Sequence, residues 1–82
     1  PESYGAAAQY FTGSIEHNII LRKIAIKKGY KLSEWGLFNR KTNEQIPTKT
    51  EKAVYNIIGF KLIPPEKRIG GKEFATYSLK KN

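Results

Sequence analysis

The sequence predicts a small α+β module: two N-terminal helices, a short two- to three-stranded antiparallel sheet and one further helix. Three observations carry that expectation. An alanine-rich stretch and a capped stretch with a helical repeat fill residues 4–28. The repeat gives way at Tyr30 to short strand-like pieces, and a threonine-capped helical stretch returns near Thr50 and stops at Gly59.

Tyr4 to Tyr10 contains Ala6, Ala7 and Ala8, and alanine has the highest intrinsic helix propensity. Thr12-Gly13-Ser14 breaks this first helix. Ser14 is a good N-cap for a second one, with Glu16 in the first turn where the helix dipole favours an acid. That helix runs to about Lys28; Lys27 and Lys28 suit its carbonyl end, and Gly29 terminates it. Tyr30–Ser33 and Gly36–Asn39 then read as strands joined by a short turn, and Arg40–Asn43 is a polar turn. Glu44–Pro47 returns as a third strand that Pro47 confines to an edge. Thr48-Lys49-Thr50-Glu51 offers a capping box for a helix carrying Ala53, Val54, Ile57 and Ile58. Pro64-Pro65 is expected to block further regular structure ahead of the basic pair Lys67-Arg68. Gly70-Gly71 reads as a hinge into a tail, so the chain divides into a module over residues 1–68 and a tail over 69–82. From Lys72 to Asn82 that tail is either a loosely docked strand or mobile.

On a wheel at about 100° per residue, the second helix shows more than one apolar face. Ile20, Leu21 and Ile24 fall together with His17 and the stem of Lys28, as a core face does. Ile15, Ile19 and Ile26 form another strip, and Ser14, Asn18, Arg22 and Ala25 lie on a line between the two. Glu16, Lys23 and Lys27 take the remaining sector. Such a helix either sits between two layers of protein or presents one strip to a ligand. Asn18 and Arg22 beside Ile15 and Ile19 would suit the edge of a base pair; packing of the isoleucines under the first helix or the tail is the other reading. Tyr10 and Phe11 ahead of Gly13 leave the same choice, between stacking on a sugar or base and filling the core. His17 reads as a half-buried helix residue without a nearby partner.

The formal net charge of +8 favours a polyanionic partner, nucleic acid before an anionic membrane surface. Every acid is a Glu, scattered singly, and there is no Asp or Cys and one His. Clustered carboxylates for metal-ion catalysis, thiolate or imidazole zinc sites and a Ser–His–acid triad are therefore not predicted. The absence of methionine and the start at Pro1 point to a piece of a longer protein. No run approaches the roughly 20 apolar residues of a membrane span, and isoleucine-rich faces without flanking Trp speak against membrane-surface binding.

Tyr10-Phe11-Thr12-Gly13-Ser14, followed by Asn18 and Arg22, resembles the signature of family X DNA polymerases, the group that includes DNA polymerase beta. The likeness continues from Leu21 through Gly29-Tyr30-Lys31-Leu32 to Phe38, resumes at Thr50–Tyr55 and closes at Ile63–Arg68. In that family this region is the nucleotide-selecting thumb, which closes over gapped or nicked DNA once the correct nucleotide is bound. The resemblance implies that Tyr10 and Phe11 line the incoming sugar and that Gly13 lets backbone approach closely, with the Gly13–Ser14 peptide cis. It implies that Asn18 hydrogen-bonds the minor-groove edge of the incoming base and that Arg22 reaches the template. Ile15, Ile19, Lys23 and Lys27 would complete the DNA-facing side. Glu34 and Trp35 match positions of the open-to-closed switch, with Trp in place of the commoner Tyr. Ile15 and Ile19 depart from the acid and lysine of the best-known relatives, which keeps the flat surface and loses its charge.

The resemblance further implies template-directed nucleotidyl transfer in short-gap repair, with Mg²⁺ held by Asp residues of a palm. With no Asp here, those ligands would lie upstream of Pro1, and the isolated chain would be inactive and bind no metal or cofactor itself. Implied partners are gapped or nicked DNA, an incoming deoxynucleotide and that palm, in a monomeric intracellular protein at the nucleoid, nucleus or viral replication site. A free-standing basic nucleic-acid-binding module is the alternative.

Overall fold

Capping chemistry sets the corners of the fold. The structure, a computed structural model, describes residues 3–79. Helix α1 spans Tyr4–Thr12, two residues beyond the expected end at Tyr10, and the Thr12 hydroxyl donates to the Ala8 carbonyl at 2.7 Å. Helix α2 spans Ile15–Lys27, and the Ser14 hydroxyl oxygen accepts from the His17 N–H at 3.2 Å, as an N-cap should. Gly29 leaves α2 with a φ of 91°, a conformation that costs a side chain energy.

The sheet follows with β1 (Tyr30–Ser33), β2 (Gly36–Asn39) and β3 (Gln45–Ile46), antiparallel in the order β1-β2-β3. Leu32 lies opposite Leu37, and Leu37 opposite Ile46, so one row of aliphatic side chains crosses the sheet. Pro47 follows the edge strand, where its missing N–H breaks no ladder. Helix α3 covers Glu51–Ile58. Its cap is Thr50, whose hydroxyl oxygen accepts from the Ala53 N–H at 3.2 Å, rather than a capping box built on Thr48. Thr48 is instead buried, and its carbonyl accepts from the Gly5 N–H at 2.7 Å.

Helix α1 packs across α3, and α2 packs on β1. Between them Leu21, Ala25, Leu32, Leu37, Val54, Ile58 and Ile63 are buried in one core. Gly5 lets α1 come this close: a Cβ there would stand 2.1 Å from the Thr50 carbonyl oxygen. On α2 the buried face is His17, Leu21 and Ala25, with Ile20 and Ile24 partly buried beside it. Ala25 thus leaves the intermediate line on which its wheel position puts it.

Beyond Ile63 the structure departs from expectation twice. Pro65 opens a 3-10 turn, Pro65–Lys67, which suits a residue with fixed φ and no N–H to satisfy. After Gly71 the chain forms a short helix, α4 (Glu73–Thr76), instead of a loose strand or a mobile tail. Phe74 is buried, stacked on His17 with centroids 4.7 Å apart and edge-on to Phe60 at 5.4 Å. The Lys61 N–H donates to the Tyr77 carbonyl at 2.8 Å, and Phe60 bridges Ser78. Four residues are too few to show a helical repeat, so this segment owes its form to tertiary contacts. The last part of the expected tail, residues 80–82, lies outside the described residues.

The core also contains polar groups more deeply buried than the sequence suggests. His17 is fully buried rather than half-buried, and it has partners: Nδ1 lies 2.7 Å from Glu73 Oε2 and Nε2 lies 2.8 Å from the Tyr55 hydroxyl. Glu73, one of the scattered acids, is buried, and its carboxylate also accepts from the Gly70 and Gly71 N–H groups at 2.6 and 2.8 Å. Burial alone would raise its pKa, but these hydrogen bonds outweigh it and hold the carboxyl at about 2. Burial lowers the His17 pKa, against the pull of Glu73. Arg68 is buried as well, donating from Nε to the Ile63 carbonyl at 2.8 Å, with Nη2 2.7 Å from Glu51 and its guanidinium 5.1 Å from the Tyr55 ring centroid.

Two tests of this packing follow. Gly5→Ala should destabilise the chain by about 1–3 kcal/mol, because the new methyl meets backbone that cannot rotate away; a urea melt followed by far-UV circular dichroism measures it. Acid should unfold the chain in two overlapping stages. The unfolded state takes up a proton at His17 as pH falls below 6.5, where the folded state resists it, and at Glu73 below 4.5, where the folded carboxylate stays ionised down to about 2. Stability should therefore fall steadily from neutral pH, and Glu73→Gln should flatten the part of the profile below pH 4.5.

Candidate nucleic-acid interface

The corner between α1 and α2 is two residues long, Gly13 and Ser14. Gly13 has a φ of 76°, and the Gly13–Ser14 peptide is cis. This corner turns the chain back so that the last turn of α1 faces the first two turns of α2 across an open concavity of about 360 Å³. Tyr10, Phe11 and Gly13 line one side; Ile15, Asn18, Ile19 and Arg22 line the other. The sequence reading names all seven, and the fold gathers them.

The apolar members are available to a ligand. Phe11 and Ile15 are 75% and 76% exposed, and Ile19 is 46% exposed. Ile15, Ile19 and Ile26 therefore do not pack beneath α1 or the tail. Tyr10 meets Phe11 edge to face at 5.3 Å, which braces the two rings against each other.

The two polar members differ. Arg22 is exposed, and its guanidinium makes no hydrogen bond or ion pair among the described residues. Asn18 is half-buried and partly engaged within the chain. Its Oδ1 accepts from Gln9 Nε2 at 2.6 Å, and its Nδ2 donates to the Tyr10 carbonyl at 2.9 Å. One Nδ2 hydrogen is left over by these bonds, on a side chain whose orientation they fix.

Charge continues along α2. A shallower recess of about 240 Å³ lies between Ile19, Arg22, Lys23 and Ile26, which brings Lys23 beside the main concavity. On the sheet side, Arg22 and Ile26 share a further recess of about 240 Å³ with Lys31 and Arg40, two cations that the sequence reading leaves out. Their signal is weak, since a lysine on a strand and an arginine in a turn are ordinary surface choices. Lys27, Glu34 and Trp35 line none of these recesses. Glu34 and Trp35 form the turn between β1 and β2, where Trp35 is 74% exposed. The reading also misses Gln9, buried and bonded to Asn18, and the Tyr55, His17 and Glu73 groups behind it.

Comparison with known proteins gives this arrangement its relatives. Residues 7–69 match the family model described as DNA polymerase beta thumb. The chain is 40% identical over 77 residues to the DNA polymerase/3'-5' exonuclease PolX of Bacillus subtilis, covering 94% of this chain and 14% of that protein. It is 36% identical over 63 residues to the repair DNA polymerase X of African swine fever virus, covering 77% of this chain and 36% of that one. Yeast DNA polymerase IV shares 33% identity over 67 residues, 82% of this chain and 11% of its own length. Among solved structures, Leishmania infantum polymerase beta in a ternary P/T complex superposes with a TM-score of 0.73 at 31% identity, over 82% of this chain and 33% of that one. The ternary gap complex of the same enzyme gives 0.75 at 26% identity, over 83% and 32%. The match thus spans about a third of the viral polymerase and less of the bacterial and yeast ones. By the family model and these relatives together, the chain belongs to the DNA polymerase beta thumb family, the thumb of family X polymerases.

Proposed function

We propose that this chain is the nucleotide-selecting, DNA-binding thumb of a polymerase that fills short gaps during base excision repair. The observation that carries the proposal is the open concavity gathering Tyr10, Phe11, Gly13, Ile15, Asn18, Ile19 and Arg22. Phe11, Ile15 and Ile19 give it an exposed apolar surface that suits the flat face of a nascent base pair. Asn18 and Arg22 lie beside that surface, where an amide N–H meets the acceptors that purines and pyrimidines present in the minor groove. Tyr10 and Phe11 lie against the sugar, where a 2′-hydroxyl would crowd them, and Gly13 allows the backbone to approach. Arg22 reaches the templating strand, and Lys23 and Lys27 add charge for the backbone. Glu34 and Trp35 respond to the closing movement from the hairpin turn.

Ile15 and Ile19 hold the pair by shape alone, without a charge to favour particular bases. The chain's contribution is positioning and induced-fit selection, which set the reacting groups in line and admit a correct pair in preference to a wrong one. Among the described residues no group of three or more His, Cys, Asp or Glu side chains stands close enough to hold an ion. Metal-ion chemistry is assigned to a palm on the same polypeptide, and the isolated chain is inactive and monomeric. Gapped or nicked DNA and a deoxynucleotide are its ligands inside the cell, at the nucleoid, nucleus or viral replication site.

Two measurements test the proposal. In the full-length protein, Arg22→Ala should lower kcat/KM for correct insertion into a one-nucleotide gap by roughly tenfold to a hundredfold, the scale of a charged hydrogen bond lost. The thermal midpoint should hardly move, because an exposed side chain outside the core contributes little stability. Unchanged insertion kinetics would take Arg22 out of the site. The isolated chain should bind gapped duplex weakly, with log K falling linearly against log salt, and Arg22→Ala should reduce that slope by about 1. Binding that ignores salt would count against a backbone-tracking thumb.

A further inference from the structure

A continuous run of hydrogen bonds crosses the core from the glycine turn before α4 to the concavity. The Gly70 and Gly71 N–H groups meet Glu73, Glu73 meets His17 Nδ1, and His17 Nε2 meets the Tyr55 hydroxyl. Gln9 Nε2 lies 3.5 Å from that hydroxyl and 2.6 Å from Asn18 Oδ1. Tyr55, His17 and Gln9 are all at most 1% exposed, and Glu73 is 4% exposed. Four helices contribute one link or more each.

The chain has a direction. An ionised carboxylate can only accept, so His17 must carry its proton on Nδ1 and donate it to Glu73. Nε2 of the neutral ring is then an acceptor, and the Tyr55 hydroxyl must donate to it. The Tyr55 oxygen in turn accepts from Gln9, which places the amino end of the Gln9 amide toward both Tyr55 and Asn18. Asn18 must answer with its carbonyl oxygen. Its amino group is left facing the Tyr10 carbonyl, 2.9 Å away, and the concavity. Turning the Asn18 amide over would set two amino groups against each other at Gln9 and two carbonyl oxygens against each other at Tyr10. Both ends oppose the flip.

We propose that Gln9, Tyr55, His17 and Glu73 are positioning residues that fix Asn18 as a hydrogen-bond donor toward the nucleotide. This rests on the reading that Asn18 meets the minor-groove edge of the incoming base. A fixed donor recognises the N3 of a purine or the O2 of a pyrimidine, acceptors that every correct pair offers at that edge. An amide free to flip would present a carbonyl oxygen part of the time and would repel those same atoms. The relay therefore makes Asn18 a sensor of pair geometry that is indifferent to sequence. None of the four residues touches the nucleotide.

The test uses the full-length polymerase filling a one-nucleotide gap opposite template thymine, with dATP and with 3-deaza-dATP, whose base has C–H in place of N3. The unaltered protein should prefer dATP by roughly three- to tenfold in kcat/KM, the worth of one hydrogen bond, with the difference in KM rather than kcat. Asn18→Ala should abolish the preference. Tyr55→Phe, which keeps the ring and removes the oxygen that receives Gln9, should shrink it toward the Asn18→Ala value. Combining the two changes should lower it no further. General loosening of the fold would lower both nucleotides equally and leave the ratio intact. A Tyr55→Phe protein with its full preference, beside an Asn18→Ala protein without one, overturns the relay and keeps the base contact. An Asn18→Ala protein with its full preference overturns the contact itself and the relay with it. Should Tyr55→Phe not fold, Gln9→Glu carries the same comparison: its carboxylate accepts from the Asn18 amino group, so the ratio must fall toward unity, and an unchanged ratio overturns the relay.

Discussion

The Glu73–His17 pair is the interaction on which the rest of this small fold leans. An ionised carboxylate buried beside an imidazole would be costly without compensation, since taking a charge out of water is among the largest penalties a core can carry. Here two backbone N–H groups and one ring N–H surround it. That satisfaction anchors α4 to α2, and the stacking of Phe74 on His17 follows from it. A chain of this length buries a limited apolar surface, so polar contacts that tie separate elements have unusual weight.

The same economy appears around Arg68. Its guanidinium is buried between the Glu51 carboxylate and the Tyr55 ring, and its Nε holds the Ile63 carbonyl. Burial pushes the Tyr55 hydroxyl up to about 12, so it stays protonated and can serve as donor and acceptor at once. Tyr55 thus belongs to both polar groups, touching Arg68 through its face and His17 through its oxygen.

Local signals made most of the secondary structure legible. Ser14 marks a helix start, Gly29 and Gly59 mark helix ends, and the change of period at Tyr30 marks where the strands begin, because each feature acts on its own few residues. Seven of the residues that line the concavity were legible too, since helical spacing and one short motif bring them together. What stayed hidden depends on partners distant in sequence. Glu73 and Arg68 look like surface residues because their types usually are, and only folding shows that His17, 56 positions before Glu73, is waiting for one of them. Thr48 was misread as a cap for a related reason: two threonines near one helix start look alike until backbone geometry selects Thr50. Helical spacing likewise gives no sign that Gln9 and the Tyr10 carbonyl claim part of the Asn18 amide.

The brevity of the Gly13–Ser14 corner has a mechanical result. With two residues between them, the end of α1 and the start of α2 have no slack to move apart, and the Asn18–Tyr10 hydrogen bond spans the gap they enclose. The two helix ends therefore act as the fixed jaws of a caliper. On the proposed function, the width of an entering base pair would be compared with a gauge set in advance, and a misshapen one would have to shift the whole caliper instead of bending one arm.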